Sequence, residues 1–232
     1  MQALMRAMRG DTDEPERDDV PPGTDPNMLF YQNAIESRPD GAKVEAMHAS
    51  WGLDYERLEM HHGYIQWIFP VFENAGMNWE SSPLTKDGAR TIRDDAQASE
   101  RVLASYRMML KFYGFVLADE RTGAVQRDPV DACGARIGNL NASPHNFLRV
   151  SRILASLGEL GFHRYKKPLL EALQREVEGG LLANARASFH DFWLPLSTEE
   201  DSARYAAKTK EVAADRAEGC LFAPGGRLAA AM

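Results

Sequence analysis

The sequence predicts an all-α class: a multi-helix globular domain over about 26–195, with one short β-hairpin near 115–126. Three observations predict it. Apolar residues recur three or four positions apart through 86–113 and again through 143–160, which is amphipathic-helix spacing. Helix-start signals precede the helical runs, at Asp25-Pro26, Thr85 and Ser143-Pro144, where capping side chains and Pro at the first helical position belong. Only one stretch reads as strand, turn, strand.

Residues 1–25 form an acidic segment that ends in Val20-Pro21-Pro22-Gly23. Too few apolar residues occur there to offset ordering entropy, so disorder is expected. A short helix then carries Met28, Leu29, Phe30 and Ile35, and Arg38-Pro39-Asp40-Gly41 stops it. A second helix is expected over 42–50 and a third over 54–69, ended by Pro70. The longest helix spans 86–113, with Ile92, Ala96, Val102, Leu103, Tyr106, Leu110 and Tyr113 on its apolar side. Phe115-Val116-Leu117 and Ala124-Val125-Gln126 flank the turn residues 119–123 and make the hairpin. Further helices are expected over 130–140, from Pro144 to Leu160 with Gly161 as terminator, over 166–178 and over 182–193, the last two parted by Gly179-Gly180. Residues 196–232 read as a charged, Ala-rich tail, partly helical to about 217. A protein partner for that tail is one expectation.

The totals exclude several classes. A length of 232 residues suits one domain with tails, and 44% apolar residues can build a core. A formal charge of -7 argues against a nucleic-acid partner. Two distant cysteines, Cys133 and Cys220, form no zinc or disulfide framework and fit a reducing compartment. No apolar run is long enough for a transmembrane segment. The N-terminus lacks a long apolar stretch with a cleavage site, so no secretory signal is expected. Together these predict an intracellular protein.

The stretch HHGYIQWIFPVFENAGMNW, residues 61–79, raises the question of a site. On a continuous helix Leu58, His62, Ile65 and Phe69 share one face and Trp67 points away, so the helix is apolar nearly all round and buried. A buried His62 held by hydrogen bonds is the expectation. The alternative is metal. Glu59-x-x-His62 and Glu45-x-x-His48 have the spacing that carboxylate-bridged metal bundles use. His61 and His62, about 100° apart on a helix, cannot share an ion, and HExxH is absent. No cofactor is expected. Trp79, after Gly76-Met77-Asn78, is expected to close the core at a turn.

The other informative stretch is SPHNFLRVSRILASLGELG, residues 143–161. Phe147, Val150, Ile153, Leu154, Leu157 and Leu160 form its core stripe. His145, Arg149, Arg152 and Ser156 stack on the opposite side, starting at a helix N-terminus. Helix N-termini favour anions and guanidinium forks match carboxylate or phosphate, so an acidic ligand could bind there. The plainer reading is a solvated, salt-bridged surface. No GxSxG, P-loop or GxGxxG occurs, and no cysteine lies in a recognisable His motif.

Both stretches resemble the conserved region of the opioid growth factor receptor family. The matching pieces run in the family's order over 27–193. They include Asn27–Asn33, Trp51, Leu58-Glu59, His62–Pro70, Gly76–Trp79 and Pro83–Thr85. Phe112–Gly114, Asn139–Asn141, His145-Asn146, Arg149, Arg152–Leu154 and Ser156–Gly161 follow. The resemblance implies a mostly helical domain with a non-enzymatic role. It also implies binding of the opioid pentapeptide Met-enkephalin, restraint of cell proliferation, and a perinuclear or peripheral membrane association.

These readings combine into one expectation: a non-enzymatic ligand- or peptide-binding regulatory domain. His145, Arg149 and Arg152 would hold an anionic group, and Tyr64, Trp67 and Trp79 would form aromatic walls. The alternatives are a metal-assisted enzyme using Glu59 and His62, and a structural interaction module.

Overall fold

A computed structural model of the chain describes residues 20–197, apart from 22, 40, 74–77, 79, 132 and 133. The expected disorder up to residue 19, the tail from 198, Trp79, Cys133 and Cys220 lie outside the described residues.

The all-α expectation holds: helices dominate, with one two-stranded antiparallel hairpin. Helix α1, Pro26–Tyr31, starts as its sequence predicts, because Asp25 accepts from Asn27 N and Pro26 occupies the first turn. Helix α2 is Val44–Trp51, α3 Tyr55–Met60 and α4 Ile65–Ile68. Helices α5, Lys86–Asp94, and α6, Ala96–Phe112, follow. The hairpin is β1, Phe115–Asp119, with β2, Ala124–Arg127, pairing Phe115 with Arg127 and Leu117 with Val125. Then come α7, Ala135–Ala142, α8, Pro144–Glu159, and α9, Lys166–Glu178.

Two expected helices are broken. The run expected over 54–69 stops at Met60, where His61 is extended (φ -86°, ψ 134°), and α4 restarts beyond Gly63. The run expected over 86–113 breaks at Asp95, whose carboxylate accepts from the backbone N of Gln97 and Ala98 and so starts a new helix. An Asp side chain competes with the helix for backbone donors, and that competition won here. The helix expected over 182–193 is irregular: 3-10 at Ala183–Ala185, a turn of α at Arg186–Ser188, and π geometry at Phe189–Trp193.

Helix α6 runs through the core. Val102, Tyr106, Met109 and Leu110 are buried, and the helix packs against α1, α2, α5 and β1. Helix α9 packs on β2, on α8 and on the chain after Leu182. Each buried Leu, Val or Phe contributes about 1.5–3 kcal/mol relative to exposure. Gly161 ends α8 with a positive φ of 86°, a conformation that glycine adopts at no steric cost. The consequence for the site is simple. With α3 stopped at Met60, its C-terminal end meets the N-terminal half of α8. Among the described residues no helix is long and apolar enough to cross a membrane.

Candidate functional site

The meeting of α3 and α8 is a reciprocal electrostatic junction. A helix end leaves backbone carbonyls without intrahelical partners. Here Arg149, on the second turn of α8, supplies the donors. Its Nη1 donates to Leu58 O (2.8 Å) and Asn146 Oδ1 (3.1 Å). Its Nη2 donates to Glu59 O (3.3 Å), His61 O (2.6 Å) and His62 Nδ1 (3.0 Å). The residue is only 5% exposed, so these bonds form where water competes little. A lysine has no rigid fork to reach this spread of acceptors.

The opposite charge crosses the other way. Glu59 Oε2 accepts from Asn139 Nδ2 (2.9 Å) on α7 and Asn146 Nδ2 (3.0 Å) on α8. Its Oε1 lies 2.8 Å from His145 Nε2. Partial burial, the largest influence, pushes the Glu59 pKa up. The amide hydrogen bonds, His145 and the Ser143 hydroxyl more than offset it, and the net shift is downward. The carboxylate also sits at the N-terminal end of the α8 dipole, where anions are favoured.

Above this junction lie two imidazoles. The His62 and His145 rings are 5.3 Å apart and meet edge to face. His62 is exposed to solvent, but its Nδ1 side is desolvated against Arg149. That desolvation, then the charges of Arg149 and His145, lower its pKa; Glu59 acts against them. His145 Nε2 is shut off from solvent and its contact with Glu59 lies off the ideal hydrogen-bond line. Met60 (73% exposed) ends α3 two residues before His62, and Leu148 (71%) lies on α8 with His145.

The structure revises several expected placements. His62 is not buried on an apolar seam, because the helix ends before it and turns it outward. Arg149 is not on a solvated face: that side of α8 packs on 58–72. Arg152 faces the same segment, and its Nε donates to Phe69 O (2.8 Å). Tyr64 and Trp67 are core side chains, with Tyr64 OH donating to Leu58 O and Trp67 Nε1 to Arg38 O. Glu45-x-x-His48 does not pair: Glu45 binds Arg101, while His48 Nε2 lies 2.8 Å from buried Ser105 Oγ. Met60 and Leu148 escaped the sequence reading, and Asn139 and Asn146 entered it only through the family resemblance. Signals for them were present, since Asn146 and Leu148 sit beside the apolar stripe of α8 without belonging to it.

The arrangement also bears on metal. A guanidinium can only donate, so His62 Nδ1 accepts and the ring proton resides on Nε2. Neither nitrogen then offers a free lone pair to an ion. Glu59 is engaged by His145 and two amides rather than by His62. Among the described residues, no three His, Cys, Asp or Glu side chains are placed to hold a metal.

Comparison with known proteins places these residues in context. The family model described as the opioid growth factor receptor conserved region matches residues 21–210. The opioid growth factor receptor-like protein 1 of Xenopus tropicalis is 39% identical over 169 residues, 72% of this chain and 32% of that protein. The opioid growth factor receptor of Rattus norvegicus is 41% identical over 169 residues, covering 72% of this chain and 29% of its own length. That of Homo sapiens is 40% identical over 155 residues, 67% of this chain and 22% of its own. The chain thus spans about a third or less of these curated relatives. No solved structure matches it.

Proposed function

The chain belongs to the opioid growth factor receptor conserved-region family, and on that premise we propose that it is a non-enzymatic, peptide-binding regulatory domain. The relatives are named as receptors of a growth factor. The reading places the ligand site at the His62–His145 rim over the Arg149–Glu59 junction. The observation that carries it is the pairing of exposed polar and exposed apolar groups on a braced base. His62 and His145 meet there edge to face, and Met60, two residues before His62, and Leu148, three residues after His145, are large apolar side chains more than two thirds exposed. Exposed apolar side chains gathered beside hydrogen-bonding groups on a rigid support are what a recognition site needs.

Arg152 and Arg149 act in this reading as supports, since their donors go to backbone carbonyls. The inherited ligand is an opioid peptide such as Met-enkephalin, and its restraint of proliferation would act inside the cell, in the cytoplasm or near the nucleus. Calorimetric titration with Met-enkephalin tests this. Saturable binding at micromolar affinity or better is expected. The test variant is His62→Ala/His145→Ala, which also removes the His62 contact with Arg149 and the His145 contact with Glu59, so its folding is checked alongside. Unchanged binding in that variant would move the site elsewhere.

A further inference from the structure

We propose that Arg149 and Glu59 are positioning residues that set the tautomers of His62 and His145, so that the rim presents one donor and one acceptor to a peptide main chain. The inference rests on the rim being the ligand site, and it names the ligand chemistry as neutral peptide backbone rather than an anion.

The argument starts from what each ring nitrogen touches. Arg149 Nη2 lies 3.0 Å from His62 Nδ1. A guanidinium is always protonated and has no lone pair to offer, so Nδ1 accepts. The single proton of neutral His62 is therefore on Nε2, the nitrogen away from Arg149 on a ring exposed to solvent. Protonating Nδ1 would set N–H against N–H, in keeping with the lowered pKa of this ring.

His145 is fixed by the opposite charge. Its Nε2 lies 2.8 Å from Glu59 Oε1 and is closed to solvent. The contact is off the hydrogen-bond line, but a carboxylate oxygen at that distance still favours a proton on Nε2 over a lone pair. Nδ1 is left as the acceptor. Glu59 cannot swing away freely, because Asn139 and Asn146 hold its other oxygen. The two rings, 5.3 Å apart, thus offer an Nε2–H from one and an Nδ1 lone pair from the other.

A peptide residue offers the complement: one C=O acceptor and one N–H donor. An anion offers acceptors only and would leave His145 Nδ1 facing a lone pair. The Nη donors of Arg149 are already directed at three carbonyls, an amide oxygen and His62. The Glu59 carboxylate beneath the rim repels a second negative charge. Exposed Met60 and Leu148, close in sequence to His62 and His145, suit apolar side chains on that backbone.

The first test needs no ligand. A long-range 1H–15N correlation spectrum of the 15N-labelled chain at pH 7.5 should show both His62 and His145 protonated at Nε2, with Nδ1 a lone-pair nitrogen. A proton on Nδ1 of either ring overturns the assignment. Glu59→Leu should shift the His145 tautomer balance and leave that of His62, a signature that a merely structural role would not give. If Glu59→Leu fails to fold, the wild-type spectrum still decides.

The second test uses N-acetyl-trileucine amide and the same peptide with a free C-terminal carboxylate. The amide should bind at least as tightly as the acid, and His62→Ala or His145→Ala should each weaken it about tenfold. Acid preferred by tenfold or more overturns the inference and leaves the rim as a site. Binding that both histidine variants leave untouched, or no binding by either peptide, overturns the rim itself.

Discussion

Arg149 concentrates the chemistry of the junction in one side chain. Replacing it with Met removes the donors for three backbone carbonyls and for Asn146 Oδ1. Leaving buried carbonyls without donors costs about 1–3 kcal/mol. Urea unfolding should show that loss for Arg149→Met, whereas Arg121→Ala, at a side chain 86% exposed, should stay within about 0.5 kcal/mol. Two other residues set the pH response. His48 is held down to about 4, mainly by burial. Its folded pKa lies below its unfolded one, so its contribution is full above about 6.5 and is lost as pH falls through 4. Glu159 is pushed up to about 7, again mainly by burial, although Phe72 N donates to it. Its contribution is therefore full below the ordinary carboxylate range and is lost as pH rises through 7. His48→Gln should flatten the acid limb of stability between pH 6.5 and 4. Glu159→Gln should flatten the decline between about 4.5 and 7, measured by unfolding at a series of pH values.

At the scale of elements, two of the three expected caps form, Ser143 bonding Glu59 instead of capping α8, and the breaks were not legible. Asp25 and Thr85 cap their helices as the sequence predicts, and they also bind each other: Asp25 Oδ2 accepts from Thr85 N and Oγ1, both at 2.7 Å. This node ties α1 to α5 and leaves no room at Gly88, where an added Cβ would sit 2.1 Å from Asp25 Oδ2. Gly88→Ala should cost about 1–3 kcal/mol, the range for overpacking, read as a lowered urea midpoint with unchanged slope. Asp95→Ala should cost about 1 kcal/mol through the lost cap of α6. The hairpin was legible from its turn residues, and its pairing follows them. The breaks at His61–Gly63 and Asp95 were hidden because apolar spacing continues across both. The first is satisfied by Arg149, nearly ninety positions away along the chain, which donates to His61 O. A local pattern carries no trace of a donor that arrives from another helix. For the same reason the polar side of α8 looked like a surface: periodicity shows that a face is polar, not what covers it.

The whole molecule is a helical scaffold whose buried polar network braces one exposed rim. Core positions such as Leu58, Tyr106 and Leu154 were legible as apolar stripes and are fully buried. The rim was legible only as a set of residue types, since bringing His62 to His145 required both the break after α3 and the docking of α8. Met60→Ser/Leu148→Ser should leave the melting temperature unchanged within about 2 °C, because both side chains are exposed. It should weaken peptide binding several-fold in calorimetry if the rim is the site. The most direct test of the central claim is calorimetric titration of the chain and of His62→Ala/His145→Ala with Met-enkephalin under identical conditions. The account predicts saturable binding at micromolar affinity or better for the first and a loss of at least tenfold for the second, measured where both are fully folded. No binding by the unaltered chain, or equal binding by both, would contradict it.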